Sequence, residues 1–429
     1  MRIFLSIFAT AATTLALAAP ANAQKCDYRF SGSIAVQHNG VIEPLKMAQV
    51  RVKRRGGTGA GRATVRSNGN GEYDGSWTFD RDGNGLAPGR PDIQFDVQVR
   101  LLQPGMLAIN APRATQPEWQ TIASHSGKDC QRFLLTRPTV LDTDRAGDPN
   151  RDFNRRAFIW TAYRRLQERL GRLELRPDKQ MNFVYPDRTV GMGGNDNGSY
   201  YVLRGHIDDN DWNNIGVLIH EYMHGWHMAF MRGEISKDCI WASHHKAARD
   251  KRATRCSGFM EGFAEATGQQ LTKELFDGQP YYRRTADQRL RFYGPLSSSE
   301  LRSGARSGNV GPITNRDEAE RTDVGWTNFL LHHLWPNIWM PAVRSNEPGV
   351  DNLGQCQPMT PTIWQLLKAV KNERPSYAGG QATFNWFAQI LRGQVDGYTA
   401  KDATTYQTLG DPSESEAALQ QRLCPRGKV

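Results

Sequence analysis

The chain has 429 residues, 54 Lys and Arg against 44 Asp and Glu, and a formal charge of +10. Its basic residues are spread along the whole length without an aromatic and basic stacking pattern or a nucleic-acid module, so nucleic acid is excluded as the expected partner. After the first residues, no run approaches the roughly 18 apolar residues that cross a bilayer, so a membrane span is excluded too.

The first element is a leader. Arg2, an apolar run to Ala18 and the small residues Ala21-Asn22-Ala23 are the parts of a secretory signal peptide over residues 1–23, cleaved after Ala23. The product is expected in the periplasm or secreted. Cys26, Cys130, Cys239, Cys256, Cys356 and Cys424 are an even set in an oxidising compartment, which predicts three disulfides. Sequential pairing, 26 with 130, 239 with 256 and 356 with 424, is preferred among the possible connectivities. None is spaced C-x-x-C, so a zinc-thiolate site is not expected.

Residues 24–137 read as a β-sandwich. YRFSGSIAV, AQVRVKRR, RATVRSNGNGEYDGSW and DIQFDVQVRLL alternate apolar and polar residues and are broken by Gly, Asn and Asp. PLKMAQVRVKRR followed by ATVRSNGNGEYDGSW resembles the transthyretin-like or carboxypeptidase-regulatory-like sandwiches, where a V-x-V strand precedes an N-G-x-Y turn. That resemblance implies binding or scaffolding, not chemistry.

From about residue 138 the texture turns helical. Arg151 to Gly171 spaces Phe158, Ile159, Ala162, Leu166 and Leu170 on one helical face. MNFVYPDR and SYYVLRG predict strands joined by the glycine-rich VGMGGNDNG, which lacks phosphate-loop spacing and is expected to be a hairpin-like connection. Further helices are predicted over 213–231, 258–275, 323–335, 361–371, 383–392 and 413–423.

The stretch VLIHEYMHGWHMAF, Val217 to Phe230, places His220 and His224 one helical turn apart on one face, with Glu221 about 100° round the axis. This is H-E-x-x-H, in which two histidines bind zinc and the glutamate polarises water. Its flanks are apolar, as a helix buried beneath a site requires. His227 lies on the same face, but the rise from 220 is about 10.5 Å, while zinc–nitrogen bonds are about 2.0–2.1 Å, so it is not expected as a ligand. In GFMEGFAEATGQQL, Glu261 and Glu265 are again one turn apart among apolar residues, and burying them without a cation is costly.

HEYMHGW followed by EGFAE is similar to the gluzincin metallopeptidases, above all the aminopeptidase N family, in which H-E-x-x-H-x-W precedes N-E-G-F-A. Without the stretch from Cys239 to Cys256, the interval between His224 and Glu261 equals that family's spacing. The resemblance implies His220, His224 and Glu261 as zinc ligands, Glu221 as general base and water at an open fourth position. It also implies that Glu265 supports a histidine ligand through its second nitrogen. It makes 138–429 a mainly helical zincin-like catalytic domain with a small mixed sheet, so the fold class is α+β with an N-terminal all-β sandwich.

The match breaks at the oxyanion donor. In TDVGWTNFLLHHLW, Thr322 stands where the family carries a tyrosine. Candidate donors are His332, His333 and Tyr293, with Tyr281, Tyr282 and Arg321 as others. The exopeptidase motif G-x-M-E-N is also missing, although GMGGN is loosely similar, which shifts the expectation to an endopeptidase on peptide or protein substrates. The basic loop from Cys239 to Cys256, with His244 and His245, favours acidic substrates. The alternatives are a catalytically silent secreted binding protein with a structural zinc, or a zinc hydrolase acting on a non-peptide amide such as cell-wall material. No organic cofactor is expected.

Overall fold

The computed structural model describes residues 25–55, 62–80, 92–128, 138–187, 191–193, 203–231, 254–276, 313, 316–330, 338–340, 357–359, 363–373, 382–384 and 386–387. The chain is α+β, with strands crowding its first part and helices its later part. The expected signal peptide and residues 239–253 of the basic loop lie outside the described residues.

The strands β1 (Lys25–His38), β2 (Val41–Pro44), β3 (Gln49–Arg54), β4 (Arg62–Arg66), β5 (Glu72–Asp80), β6 (Asp92–Arg100), β7 (Leu102–Gln103), β8 (Leu107–Asn110), β9 (Gln120–Lys128) and β10 (Thr139–Asp142) follow the alternating runs. One sheet runs β4-β3-β6-β9, and another runs β10-β1-β2 with β5 also paired to β1. Alternation sends Val50 and Val52 of β3 and Phe95, Val97 and Val99 of β6 into the core, where Phe95 meets Tyr28 of β1 at a ring separation of 5.2 Å.

The domain boundary expected at residue 137 is crossed in both directions. β10 lies beyond it yet pairs parallel with β1, Ile34 opposite Thr139. β8 lies before it yet pairs parallel with β11 (Met181–Asp187), Leu107 opposite Met181. All residues of β8 are buried, so its text carries no alternation to say which sheet it will join. A five-stranded sheet results, in the order β12-β13-β11-β8-β7, with β12 at Gly191–Gly193 and β13 at Leu203–Asp208. The two strands expected to flank a hairpin-like connection, β11 and β13, run parallel. The glycine-rich stretch between them instead supplies β12, antiparallel to β13. Two parallel strands cannot be joined by a tight turn, which is why the connection is long.

Helix α1 (Arg151–Arg172) buries Phe158, Ile159, Ala162, Leu166 and Leu170, the face predicted from spacing. It joins the two halves: Trp160 donates its indole N–H to the Lys46 carbonyl at 2.8 Å, while Tyr163 packs on Phe183 of β11 with ring centroids 4.2 Å apart. Then come α2 (Ile215–Phe230), α3 (Arg255–Phe276), α4 (Arg316–Glu320), α5 (Asp323–Asn328) and α6 (Ile363–Glu373), with a two-strand pair of β14 (Ile338–Met340) and β15 (Gln357–Met359). Of the helix predicted over 323–335, Asp323–Asn328 is α-helical, 329–330 continue as a wider helical turn, and 331–335 lie outside the described residues. The helix at 413–423 and most of that at 383–392 fall outside the described residues. Cys256, at the start of α3, is disulfide-bonded; the pairing expected for the six cysteines otherwise falls outside the described side chains. Among the described residues, no helix is long and apolar enough to cross a membrane.

α3 runs between α2 and α5. On its α5 side, a Cβ added at Gly262 would stand 2.2 Å from the Trp326 Cβ and 2.9 Å from the Asp323 carbonyl oxygen. The contact exists only because residue 262 has no side chain. Gly262→Ala gains about 1 kcal/mol of helix propensity but overpacks a backbone contact that cannot yield, so a net loss of about 1–3 kcal/mol is expected. Urea unfolding measures it, and a variant as stable as the parent would contradict the packing.

Candidate metal centre

α2 begins where Asn214 caps it, its side-chain oxygen accepting from the Val217 N–H at 3.4 Å. The apolar residues of the motif anchor the helix: Leu218, Ile219, Tyr222, Met223 and Trp226 are fully buried, and the Trp226 indole donates to the Leu175 carbonyl at 2.7 Å. With that face pinned, His220 and His224 present their rings side by side, with centroids 4.6 Å apart.

α3 brings the third group. Glu261 Oε2 lies 3.4 Å from His220 Nε2 and 3.3 Å from His224 Nε2. His220, His224 and Glu261 each offer a donor atom within 4.8 Å of the others, the spacing of a group able to hold a metal ion. Glu261 and His224 are both only 4% exposed. A carboxylate sealed against two imidazoles is costly unless protons or a cation neutralise it. Two ring nitrogens and one carboxylate oxygen suit a transition metal that retains an open position.

Glu265, one turn along α3, sits behind the first ring. His220 Nδ1 donates to its Oε2 at 3.0 Å, and Gln269 donates to its other oxygen at 2.7 Å. An ionised carboxylate only accepts, so Nδ1 donates to Glu265, and Nε2 is left as the ring atom that faces Glu261 and His224. Burial pushes Glu265 upward, but the bond and charge of His220 and the bond from Gln269 outweigh it and hold the carboxyl below its usual value. For His220, burial works against the charge; the bonds to Glu261 and Glu265 and the nearby carboxylates prevail and raise it well above 6.5.

The approach of α3 to α2 depends on another glycine. A Cβ on Gly268 would lie 3.1 Å from the His220 Cα and 3.2 Å from its backbone nitrogen. Any larger side chain there pushes apart the helices that carry the donors. Sequence reading passed over Gly268 and Gln269; both lie in the quoted stretch GFMEGFAEATGQQL, and an i,i+4 pairing of Gln269 with Glu265 was the available signal.

His227 stays out of the donor group. It is fully buried, edge-on to Phe259 and Phe263 with centroids 5.3 and 5.4 Å away, and burial, aided by His224, lowers it to about 3. Glu221, the expected base, is 4% exposed on the same helix. Tyr163 of α1 is close enough to feel its charge: burial first, then Glu221 and Tyr222, push this phenol well above its usual value. It therefore remains neutral.

Thr322, at the tyrosine's expected place, is an N-cap. Its hydroxyl accepts from the Gly325 N–H and donates to the Ala319 carbonyl, each at 3.2 Å. Arg321 is held by Asp317, with Nε 2.9 Å from Oδ2. The other candidate oxyanion donors, His332, His333, Tyr281, Tyr282 and Tyr293, lie outside the described residues, as do His244 and His245.

No protein-family model matches the chain, and no curated protein matches it. Among solved structures, a 9R-lipoxygenase from Cyanothece PCC8801 aligns over 31% of this chain and 22% of its own, at 14% identity and a TM-score of 0.17. Agreement that low carries no inference about fold or function.

Two outcomes follow for the metal-free protein. Binding Zn²⁺ must expel the proton that His220 holds above 6.5, so affinity rises with pH through and beyond the ordinary histidine range and protons are released. Calorimetry in buffers of differing ionisation enthalpy reads both, and pH-independent affinity between about pH 6 and 8 would contradict the coupling. Gly268→Val is expected to weaken Zn²⁺ binding by about tenfold or more, as the supporting carboxylates retreat from His220.

Proposed function

We propose that the chain is an exported, zinc-dependent metallopeptidase of the gluzincin type that acts as an endopeptidase. The observation that carries this reading is the meeting of the Glu261 carboxylate with the two H-E-x-x-H imidazoles, 3.3 and 3.4 Å away, although Glu261 lies on a different helix. His220, His224 and Glu261 would hold zinc. When bound, zinc supplies a Lewis acid that polarises the scissile carbonyl and acidifies water at the open position.

The remaining work belongs to the protein. Glu221, next to His220 and shielded from bulk solvent, accepts a proton from the attacking water and returns it to the amine that leaves. Glu265 keeps His220 in the tautomer that presents Nε2. Burial of the donor set strengthens each electrostatic interaction inside the site.

Endopeptidase action is favoured by what borders the helix. β12 is the terminal strand of its sheet among the described residues, beside β13, and such an edge is where an extended peptide would add as a further strand. No acidic motif of the exopeptidase kind marks that strand to grip a free amine. The export route rests on the leader and on the disulfide at Cys256.

A second reading, a silent binding protein with a structural zinc, draws support from Thr322, whose hydroxyl caps a helix and does not serve as an oxyanion donor. Mutation separates the two. Glu221→Gln is expected to keep stoichiometric zinc by elemental analysis and to lose about 10²–10⁴-fold in cleavage of a quenched-peptide library. Unchanged cleavage in this variant removes the assigned base, and no cleavage by the parent with zinc bound selects the silent reading.

A further inference from the structure

The sheet β4-β3-β6-β9 turns one face away from the core. Opposite the buried Val50, Val52, Val97 and Val99, the intervening side chains form a cross-strand array. Arg66, Gln49 and Arg100 make one row; Thr64, Arg51, Gln98 and Thr121 the next; Arg62, Lys53, Asp96 and Ser124 the third. Like charges placed opposite each other, as Lys53 and Arg62 are, work against a sheet. Asp96 is the single carboxylate of the three rows, and Arg55 already holds it at 2.6 Å.

The two central arginines are ordered by neutral partners. Arg51 donates from Nε and Nη2 to Gln98 Oε1 at 2.8 and 2.5 Å, and Arg100 donates in the same way to Gln49 Oε1 at 2.9 and 2.6 Å. Both guanidinium groups also lie over Trp119, 4.3 and 4.6 Å from its ring centre. Side chains that would otherwise swing freely are held in place with no carboxylate paired to them among the described residues, which lowers the entropic cost of gripping an anion. Burial first, then the charges of Arg62 and Arg100, keep Arg51 below the usual guanidinium value.

The geometry points to this face as a docking surface for an acidic polysaccharide, gripped by Arg51, Arg62, Arg66 and Arg100. A peptide that binds a sheet adds to an edge or fills a groove with side-chain pockets. Here the ligand meets the flat face of β3 and β6, interior strands whose backbone groups are already paired on both sides. Only side chains are offered, and the amide of Gln98 and the hydroxyls of Thr121 and Ser124 lie beside the cations, toward β9. That mixture fits a chain with hydroxyls between its carboxylates, and the positive face meets the negative polymer. The inference does not depend on the peptidase reading.

The test uses the full mature chain and immobilised polygalacturonate, with neutral dextran, poly-L-glutamate and single-stranded DNA as the other surfaces. Binding to polygalacturonate is expected, falling steeply with added salt, with no binding to dextran. Arg51→Gln/Arg100→Gln is expected to weaken binding by about tenfold or more. Because those two residues also pack on Trp119, Arg62→Gln/Arg66→Gln, on exposed positions of β4, serves as the second variant with the same expected loss. Arg145→Gln/Arg172→Gln removes the same charge elsewhere and should change affinity by less than about twofold. The proposal is overturned if the parent does not bind polygalacturonate, if the control variant weakens binding as much as the face variants, or if poly-L-glutamate or DNA binds more tightly.

Discussion

A carboxylate buried against two imidazoles is the constraint around which the helical half is organised. Glu261 cannot sit in the interior as a lone anion, and His220 and His224 cannot both be protonated beside each other at low cost. Their proximity makes sense as a donor set for a cation. It also demands that two long helices lie closer than ordinary side chains permit. Gly268 meets that demand on the α2 side and Gly262 on the α5 side, so α3 is thin where it must be thin. The apolar bulk sits one step away, in Phe259, Phe263 and Trp226, which are fully buried and lock the helices laterally.

The scaffold beneath this pair is shared between parts of the chain that look separate in the sequence. β8 is drawn from within the sandwich text and stands beside β11, while β10 returns to the sandwich sheet next to β1. α1 joins them, with Trp160 on one side and Tyr163 on the other. Movement of the sandwich would therefore disturb the sheet behind α2. The buried hydrophobic residues of both halves form one continuous cluster, which has the same consequence.

Charge is used in two opposite ways. At the candidate metal centre, acids and imidazoles are removed from water and paired, as in the chain from Gln269 through Glu265 to His220. On the outer face of β4-β3-β6-β9, cations outnumber the one carboxylate of the three rows and are ordered by amides and an indole. The first arrangement favours chemistry in a low-dielectric interior. The second favours capture of a polymer from solution.

Short-range patterns carried most of what could be read before the fold. His220, Glu221 and His224 are ordered by helical geometry alone, because residues four apart must share a face. The helices at 215–230 and 255–276 and the buried face of α1 follow from apolar spacing, and the strands of the first part from alternation. The pairing of strands is different, because hydrogen bonds between distant segments leave no local trace; hence nothing in the text of β8 announces its place beside β11, and β11 and β13, expected to flank a hairpin-like connection, run parallel. Cysteine pairing has the same long-range character. The sequence by itself determined which residues are of metal-binding type and which face of each helix is apolar. Only the tertiary structure decided that Glu261 reaches both rings, that Thr322 caps a helix and that Arg51, Lys53, Arg62, Arg66 and Arg100 share one sheet face. Each of these depends on the distance between elements far apart in the chain, and that distance is set by packing.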